Sequence, residues 1–329
     1  MRRPAQAMGH WRSSTQPGIK TPMSQTHYAR TSLIDLAAHA EQLPLLPTVV
    51  MRVLALDPRS DQYFEALLAV AEEDPTFAVR LIRLANAPTS APAKPIITIR
   101  QAVVRLGARE CAGLVTALAV SRVFVPTTVG QRNLWRHALQ VAVGARTITS
   151  LMTTPGVLPA QAYLAGLLHD IGRFVMFEAA TEDLGRVDEA PWHSPQQLMD
   201  AEHTLLGYDH VQLGVLVCRR WSLPQVIAEV IKLHHDYAAP DVQSSVPMGT
   251  LIAIVQLADL LSMCLMNSPE LGDQEPVDIA ATLAASCVRP EWRHPPVAPS
   301  VLAQRVGTIR DEAAEVAERL LDARTVSSK

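Results

Sequence analysis

The chain has 329 residues, of which 48% are hydrophobic and 19% are charged. This composition excludes a largely disordered protein and is typical of a globular chain with a large buried core, arranged in one to three domains. The net charge of -3 at pH 7 gives no basic surface for nonspecific nucleic-acid binding, so a nucleic-acid partner is unsupported.

Residues 1–30 differ in composition from the rest of the chain. They contain five basic residues and no acidic ones, among Ser, Thr, Gln, Gly and Pro. Such a segment cannot bury enough apolar surface to offset its ordering entropy, so we expect a disordered tail. Tethering to a membrane or a partner is the alternative. Because no apolar stretch follows Arg2 and Arg3, we expect no export signal.

Helix signals follow along the chain, and no stretch shows sustained period-two alternation. Asp74-Pro75 and Ser194-Pro195 each combine an N-cap with an N1 proline, Thr98 begins a further helix, and Gly107 and Gly207 mark helix ends. The pattern predicts an all-α fold, a multi-helix bundle with an N-terminal helical subdomain.

A domain division is expected near the Pro and Gly of residues 125–130. We predict a first helical part at 31–125, a helical bundle at 126–290 and a C-terminal helical segment at 291–329. The first part offers no cluster of reactive groups. Its Arg80, Arg83 and Arg100 could contact an acidic partner or lie on solvated helix faces.

His169 and Asp170 stand side by side within the apolar run YLAGLLHDIGRFVMF at residues 163–177, which reads as one helix. Burying an imidazole and a carboxylate is costly unless each is paired, protonated or bound to a metal. Further candidates lie within or at the ends of other apolar segments: His137, His210, His234, His235 and Asp259.

These His and Asp side chains form a ligand set that suits Fe, Mn or Zn. Neighbouring helical residues point about 100 degrees apart, so His169 and Asp170 serve one ion only at a helix edge, unless Asp170 bridges two ions. His137, His169, Asp170 and Asp259 would form one site, and His210, His234 and His235 a second. A metal-free network of hydrogen-bonded polar groups is the alternative.

The four cysteines are Cys111, Cys218, Cys264 and Cys287, and they show no C-x-x-C spacing. They predict reduced core residues of a cytoplasmic protein. The apolar run at 248–266 contains Asp259 and is interpreted as a buried helix, so no membrane span is expected.

The C-terminal part combines a segment expected to be rich in loops, 267–299, with a final helix for which Ser300 is a candidate cap. In that helix apolar residues recur with heptad spacing at Leu302, Val306, Ile309, Ala313, Val316 and Leu320. The seam could pack back on the bundle or form a homodimer.

The order of His137, His169-Asp170-Ile171-Gly172, His210, His234 or His235 and Asp259 resembles the HD superfamily of metal-dependent phosphohydrolases. Upstream, LPLLPTVVMRVLAL (43–56), EEDPTFAVRLIRLANA (72–87) and ITIRQAVVRLG (97–107) resemble the HDOD family, and the likeness extends over about residues 37–266. The resemblance implies an HD-related output domain of bacterial signalling, usually without demonstrated catalysis.

Two features depart from the related cyclic di-GMP phosphodiesterases. The Gly-Tyr-Pro signature expected after the His pair is absent, because the chain reads His-Asp-Tyr-Ala-Ala-Pro from His235 to Pro240. Arg173 also replaces the usual Lys after HDIG, and an arginine is a poor proton donor.

We therefore expect a regulatory protein that acts through contacts with a signalling partner, without turnover and without catalytic residues. The alternative is a metal-dependent phosphohydrolase acting on a nucleotide or cyclic dinucleotide. Binding of a nucleotide at an inactive site lies between the two.

Overall fold

The computed structural model describes residues 52–53, 56, 60–72, 81–82, 85–86, 95–153, 156–179, 181–189, 194–242 and 246–322. Within these ranges the chain forms helices and connecting loops and no strands, which confirms the all-α prediction. The helices are α1 (Tyr63–Glu72), α2 (Ile99–Leu106), α3 (Ala108–Val123), α4 (Val129–Leu151), α5 (Pro159–Leu168), α6 (Ile171–Ala179), α7 (Thr181–Glu189), α8 (Pro195–Leu206), α9 (His210–Arg220), α10 (Gln225–Leu233), α11 (Ala239–Val242), α12 (Val246–Asn267), α13 (Pro276–Ser286), α14 (Pro299–Ala303) and α15 (Val306–Asp322), with a 3-10 helix at Pro269–Asp273.

Several predicted helix boundaries are confirmed by their capping groups. Thr98 and Gln101 form a reciprocal capping box at the start of α2, and Gly107 ends that helix. The Ser194 hydroxyl accepts a hydrogen bond from the Gln197 amide at the start of α8, and Gly207 ends α8 in the left-handed conformation at φ 87°. The signal at Asp74-Pro75 lies outside the described residues.

The long helix α4 lies at the centre of the bundle, and most of its residues are buried. Two glycines let neighbouring helices approach it. A Cβ at Gly166 of α5 would lie 2.8 Å from the Val141 carbonyl oxygen, and one at Gly144 would lie 3.3 Å from the Ala258 Cβ of α12. This close packing brings α4, α5 and α12 together around one interior.

The helix α12 is long and apolar enough to cross a bilayer by length and composition alone, and no other helix in the described ranges is. However, 72% of its most apolar window is buried within the protein. Burial of this kind is typical of the core helix of a bundle.

The C-terminal part differs from expectation in two places. The segment 267–299 contains the 3-10 helix and α13 rather than mainly loops, since Pro276 can occupy the first turn of a helix. The final helix is divided into α14 and α15 at Gln304 and Arg305, and Ala298 rather than Ser300 is the N-cap of α14. The heptad residues therefore do not share one continuous helix.

The last helix, α15, contacts α4 at the centre of the bundle. Val306, Ile309 and Ala313 are buried, and Arg146 of α4 pairs with Glu312 of α15. Leu320 lies among the residues whose side chains are not described. The homodimer remains a prediction.

All described residues belong to one compact unit, residues 31–329. The predicted division near residues 125–130 falls at the loop between α3 and α4, across which the Trp135 indole donates to the Phe124 carbonyl oxygen.

Among the arginines singled out in the first part of the chain, Arg100 forms an exposed ion pair with Glu65. The tail at 1–30, the segment 43–51 and both Arg80 and Arg83 lie outside the described residues.

Candidate metal centre

The predicted single helix at 163–177 is wrong, because α5 ends at Leu168 and α6 begins at Ile171. His169 and Asp170 occupy the turn between the two helices. Both side chains are buried in one interior, where His169 Nε2 lies 3.7 Å from Asp170 Oδ2. The Asp170 carbonyl accepts from the Arg173 amide in the first turn of α6.

Gly172 brings this turn against α9. A Cβ at this position would lie 1.9 Å from the His210 carbonyl oxygen, a distance that no side chain tolerates. Glycine therefore lets α6 and α9 pack closely. This contact places Asp170 beside the His210 side chain, with 3.5 Å between Asp170 Oδ1 and His210 Nε2.

All seven predicted ligands meet in the interior of the bundle. They come from α4, the α5–α6 turn, the start of α9, the end of α10 and α12. Within each of two groups the candidate ligand atoms lie within 4.8 Å of one another. One group is His137, His169 and Asp259, and the other is Asp170, His210, His234 and His235.

Four of the five imidazoles have the Nδ1 atom bonded to an acceptor on the outside of the cluster. His169 and His234 donate to the carbonyl oxygens of Gly166 and Ile231, each at 2.7 Å. His210 donates to Glu202 Oε2 at 2.6 Å.

The fourth imidazole, His137, is held through a hydroxyl. Its Nδ1 lies 2.9 Å from Ser262 Oγ, and that hydroxyl donates its own proton to Gln140 Oε1 at 2.8 Å. The hydroxyl must therefore accept from His137 Nδ1. In the neutral form of each of these four imidazoles, Nε2 then carries a lone pair.

The four Nε2 atoms point inwards, toward one another and toward the carboxylates. His137 Nε2 lies 3.2 Å from His169 Nε2 and 3.3 Å from Asp259 Oδ1. His210 Nε2 lies 3.1 Å from His235 Nε2. Lone pairs that converge in this way need a cation between them, either protons or a metal ion.

Asp170 connects the two groups through its two oxygens. Oδ1 lies 3.5 Å from Nε2 of both His210 and His234, and Oδ2 lies 3.7 Å from Nε2 of both His137 and His169. Oδ1 is buried and has no hydrogen-bond partner. A buried carboxylate oxygen that has no hydrogen-bond partner and lies between imidazole nitrogens is suited to bind a metal ion.

The electrostatics keep the carboxylates ionised. Burial alone would raise the pKa of Asp170 and Asp259, but the neighbouring imidazoles outweigh it and hold both pKa values below their ordinary range. Burial lowers the pKa of His169 to about 4, so this imidazole is neutral at neutral pH. Deprotonated groups of these kinds are what metal coordination requires.

The pKa values of His137 and His210 are raised, whereas that of His169 is lowered. Burial opposes their protonation, but Asp259 raises the pKa of His137, and the charge of Glu202 raises that of His210. Burial lowers the pKa of His235 well below the ordinary value.

Residues outside the predicted ligand set hold the ligands in place. Glu202, fully buried, accepts from both the backbone amide and Nδ1 of His210. Carboxylates, hydroxyls and carbonyls on the second nitrogen of a ligating His are characteristic of metal sites, because they fix its tautomer and orientation. Glu202, Ser262 and Gln140 were not predicted from the sequence. One signal for Glu202 was present, since it shares an apolar helix face with Leu198 and Leu206.

Arg173 contacts Glu202, one of the residues that hold the candidate ligands in place. Its guanidinium pairs with Asp188, and its Nε lies 3.5 Å from Glu202 Oε1. Burial opposes the charged form, yet Asp188 and Glu202 outweigh it and raise the pKa of Arg173 above its ordinary value. This side chain therefore stays charged and does not supply protons.

A cavity of about 870 Å³ opens onto the cluster. Its wall includes His137, Asp170, His235 and Asp259, so a small molecule in the cavity could reach candidate ligand atoms of both groups. Arg173 and Arg289 also line it.

The HDOD domain model matches residues 43–237, which is more than half of the chain. The chain belongs to the HDOD family. Its membership confirms the resemblance drawn from the sequence motifs.

Three solved structures share the fold of this HDOD protein. An HDOD domain protein of unknown function from Geobacter sulfurreducens is 24% identical, with 87% of this chain and 99% of that chain covered and a TM-score of 0.62. A proposed phosphohydrolase from Shewanella amazonensis SB2B is 23% identical, with 87% and 97% covered and a TM-score of 0.62. A proposed signal transduction protein from Marinobacter aquaeolei VT8 is 21% identical, with 88% and 60% covered and a TM-score of 0.60. At these identities the likeness is one of fold.

Among curated proteins, an uncharacterized protein of Treponema pallidum (strain Nichols) is 26% identical over 204 residues. The match covers 61% of this chain and 39% of that protein. The HDOD chain thus spans well under half the length of this relative.

Proposed function

We propose that this HDOD protein binds one or two divalent transition-metal ions in its His/Asp cluster and acts in bacterial signal transduction through contacts with a protein partner, without turnover. The observation that carries the proposal is the set of four imidazoles whose Nδ1 atoms are held from outside while their Nε2 atoms converge. The mixed nitrogen and oxygen ligand set favours Fe, Mn or Zn.

Arg173 supports binding without turnover. It stands where the phosphodiesterases described above usually have a lysine, and its guanidinium is held by Asp188 and lies near Glu202. Together with the missing Gly-Tyr-Pro signature, this leaves no proton donor at that position for a departing alkoxide.

Phosphoester hydrolysis is the second candidate, and the cavity favours it. The four cluster residues on the cavity wall would be within reach of a bound nucleotide. A metal bound there would supply Lewis-acid activation of water and of a phosphoryl group. A nucleotide could also bind without being cleaved and act as a signal.

We propose a cytoplasmic location, and the four free cysteines support this proposal. The protein partner is a signalling protein whose identity is open. The C-terminal helix is the segment through which a homodimer would form, and the mass of the purified protein in solution tests that prediction.

The two candidates differ in their products. Metal-loaded protein would be incubated with a panel of nucleotides and cyclic dinucleotides, alongside Asp170→Asn and the control His203→Ala, which changes an imidazole that is 53% exposed. Binding without turnover predicts no product from any of the three proteins. Repeated turnover that is lost only in Asp170→Asn would establish hydrolysis instead.

The signalling role also requires that the metal alters the protein beyond its ligands. Amide hydrogen exchange of metal-loaded and chelator-treated protein should differ in α6, α9 and α10, which begin or end at the cluster. Identical exchange in both states would contradict a metal-dependent signal.

A further inference from the structure

Cys264 and Cys287 form a pair of thiols beside the cavity of the metal centre. Their sulfur atoms lie 3.6 Å apart, although the residues are far apart in sequence. Cys264 belongs to α12, and Cys287 caps the end of α13. Neither residue is assigned a part in the metal cluster.

The two sulfurs are in van der Waals contact. A disulfide has its sulfurs about 2.05 Å apart, so the two atoms need to approach by roughly 1.6 Å. We expect rotation about the side-chain torsions of the two residues to supply this movement.

The two thiols differ in access. Cys264 is half-buried and lines the cavity, whereas Cys287 is fully buried. A small oxidant that enters the cavity therefore meets the Cys264 sulfur first, with Cys287 directly behind it.

We infer that Cys264 and Cys287 are a redox-active dithiol, in which Cys264 is oxidised by hydrogen peroxide and Cys287 then closes a disulfide. In the first step the Cys264 thiolate attacks the peroxide, the O–O bond breaks, and sulfenic acid and hydroxide form. In the second, the Cys287 sulfur displaces the hydroxyl of the sulfenic acid, and its proton leaves with that hydroxyl as water. Each sulfur loses one electron, and the peroxide takes up both.

The local charges agree with these roles. The hydrogen bond from Cys287 lowers the pKa of Cys264 to about 7 in spite of burial, and the charge of Arg289 acts in the same direction. The contact with Cys264 and burial together raise the pKa of Cys287. Cys264 is thus the attacking thiolate, and Cys287 the thiol that resolves the sulfenic acid.

The disulfide would connect two parts of the metal-centre wall. The helix α12 that carries Cys264 also carries Asp259, and Arg289 lies two residues beyond Cys287 in the same cavity. Oxidation would replace the thiolate next to Arg289 with a neutral bond. The redox state of the pair would therefore change the cavity from which the metal centre is reached.

The test uses the full chain and equimolar hydrogen peroxide. In the wild type we expect two of the four thiols to disappear, the mass to fall by two hydrogens, and proteolysis to release one peptide pair joined through Cys264 and Cys287. Reductant should restore all four thiols. Retention of all four thiols, or a disulfide through any other pair, would overturn the inference.

Two variants separate the roles, with Cys218→Ser as the matched control. Burial raises the pKa of Cys218 to about 12, so its removal should leave the disulfide unchanged. Cys264→Ser should abolish disulfide formation. Cys287→Ser should accumulate sulfenic acid at Cys264, detected with dimedone, and the absence of this label would count against the scheme. Treatment of the wild type with diamide, a dithiol oxidant, should give the same peptide pair even if a variant fails to fold.

Discussion

His234 Nε2 lies 3.5 Å from Asp170 Oδ1, and neither atom has a hydrogen-bond partner in the described part of the chain. Because His234 Nδ1 donates to the Ile231 carbonyl oxygen, an imidazole without a second proton would present its Nε2 lone pair to the carboxylate. Two buried acceptors that face each other are unfavourable without a cation. The pair therefore requires a cation at this position, either a proton on Nε2 or a metal ion, and a metal ion would satisfy both atoms.

Glu202 positions His210, so its removal should weaken metal binding without removing a ligand. The Glu202→Gln change leaves a side chain of similar size but removes the charge that faces His210 Nδ1. We expect metal affinity to fall by about 10- to 100-fold, measured by competition with a chromogenic chelator. Asp200→Asn, on the exposed side of the same helix, is the control and should bind as the wild type does.

Gly172→Ala should destabilise the protein, because its Cβ would meet the His210 carbonyl oxygen. The overlap involves backbone, so α6 and α9 must move apart, and we expect a loss of about 2 kcal/mol or more in the free energy of unfolding. Chemical denaturation measures it. In Gly185→Ala, by contrast, the added Cβ in α7 has no neighbour within 4 Å, and a gain of up to about 1 kcal/mol is expected. Equal effects of the two changes would refute the close contact.

Metal should stabilise the folded chain. Ligand that binds the folded state alone adds about 2.7 kcal/mol to the free energy of unfolding at a concentration of about 100 times Kd. Differential scanning calorimetry should therefore show a Tm that rises by several degrees with Mn or Zn and falls again with chelator. A Tm that is indifferent to both would favour the metal-free network.

Metal affinity should decrease as the pH falls. The pKa values of His137 and His210 are raised by Asp259 and Glu202, so protons compete with metal for these imidazoles at a higher pH than for an ordinary His. Affinity is retained above the raised pKa values and lost below them. Calorimetric titrations between about pH 8 and about pH 5 would detect this, and a pH-independent affinity would exclude both imidazoles as ligands.

The sequence predicted the features that depend on local signals. Thr98, Gly107, Ser194 and Gly207 mark helix ends because their capping groups act within a few residues. The seven His and Asp candidates were identified by residue type and order, and the structure brings them together.

The missed features depend on contacts between different helices. The break at His169 and Asp170 lies within a continuous apolar run without proline, and Gly172 just after it packs against the His210 carbonyl oxygen of α9. The pairing of Glu202 with His210 depends on the approach of two helices across the turn at Gly207. Local periodicity does not specify either contact.

The central claim is that this His/Asp cluster holds a metal, and elemental mass spectrometry tests it most directly. Protein purified without an affinity tag or chelator would be compared with His169→Ala, which removes one inward Nε2 atom and leaves the rest of the cluster in place. We predict one or two equivalents of Fe, Mn or Zn in the wild type, and a marked loss in the variant. A wild-type protein without metal, even after loading with each of the three ions, would contradict the account.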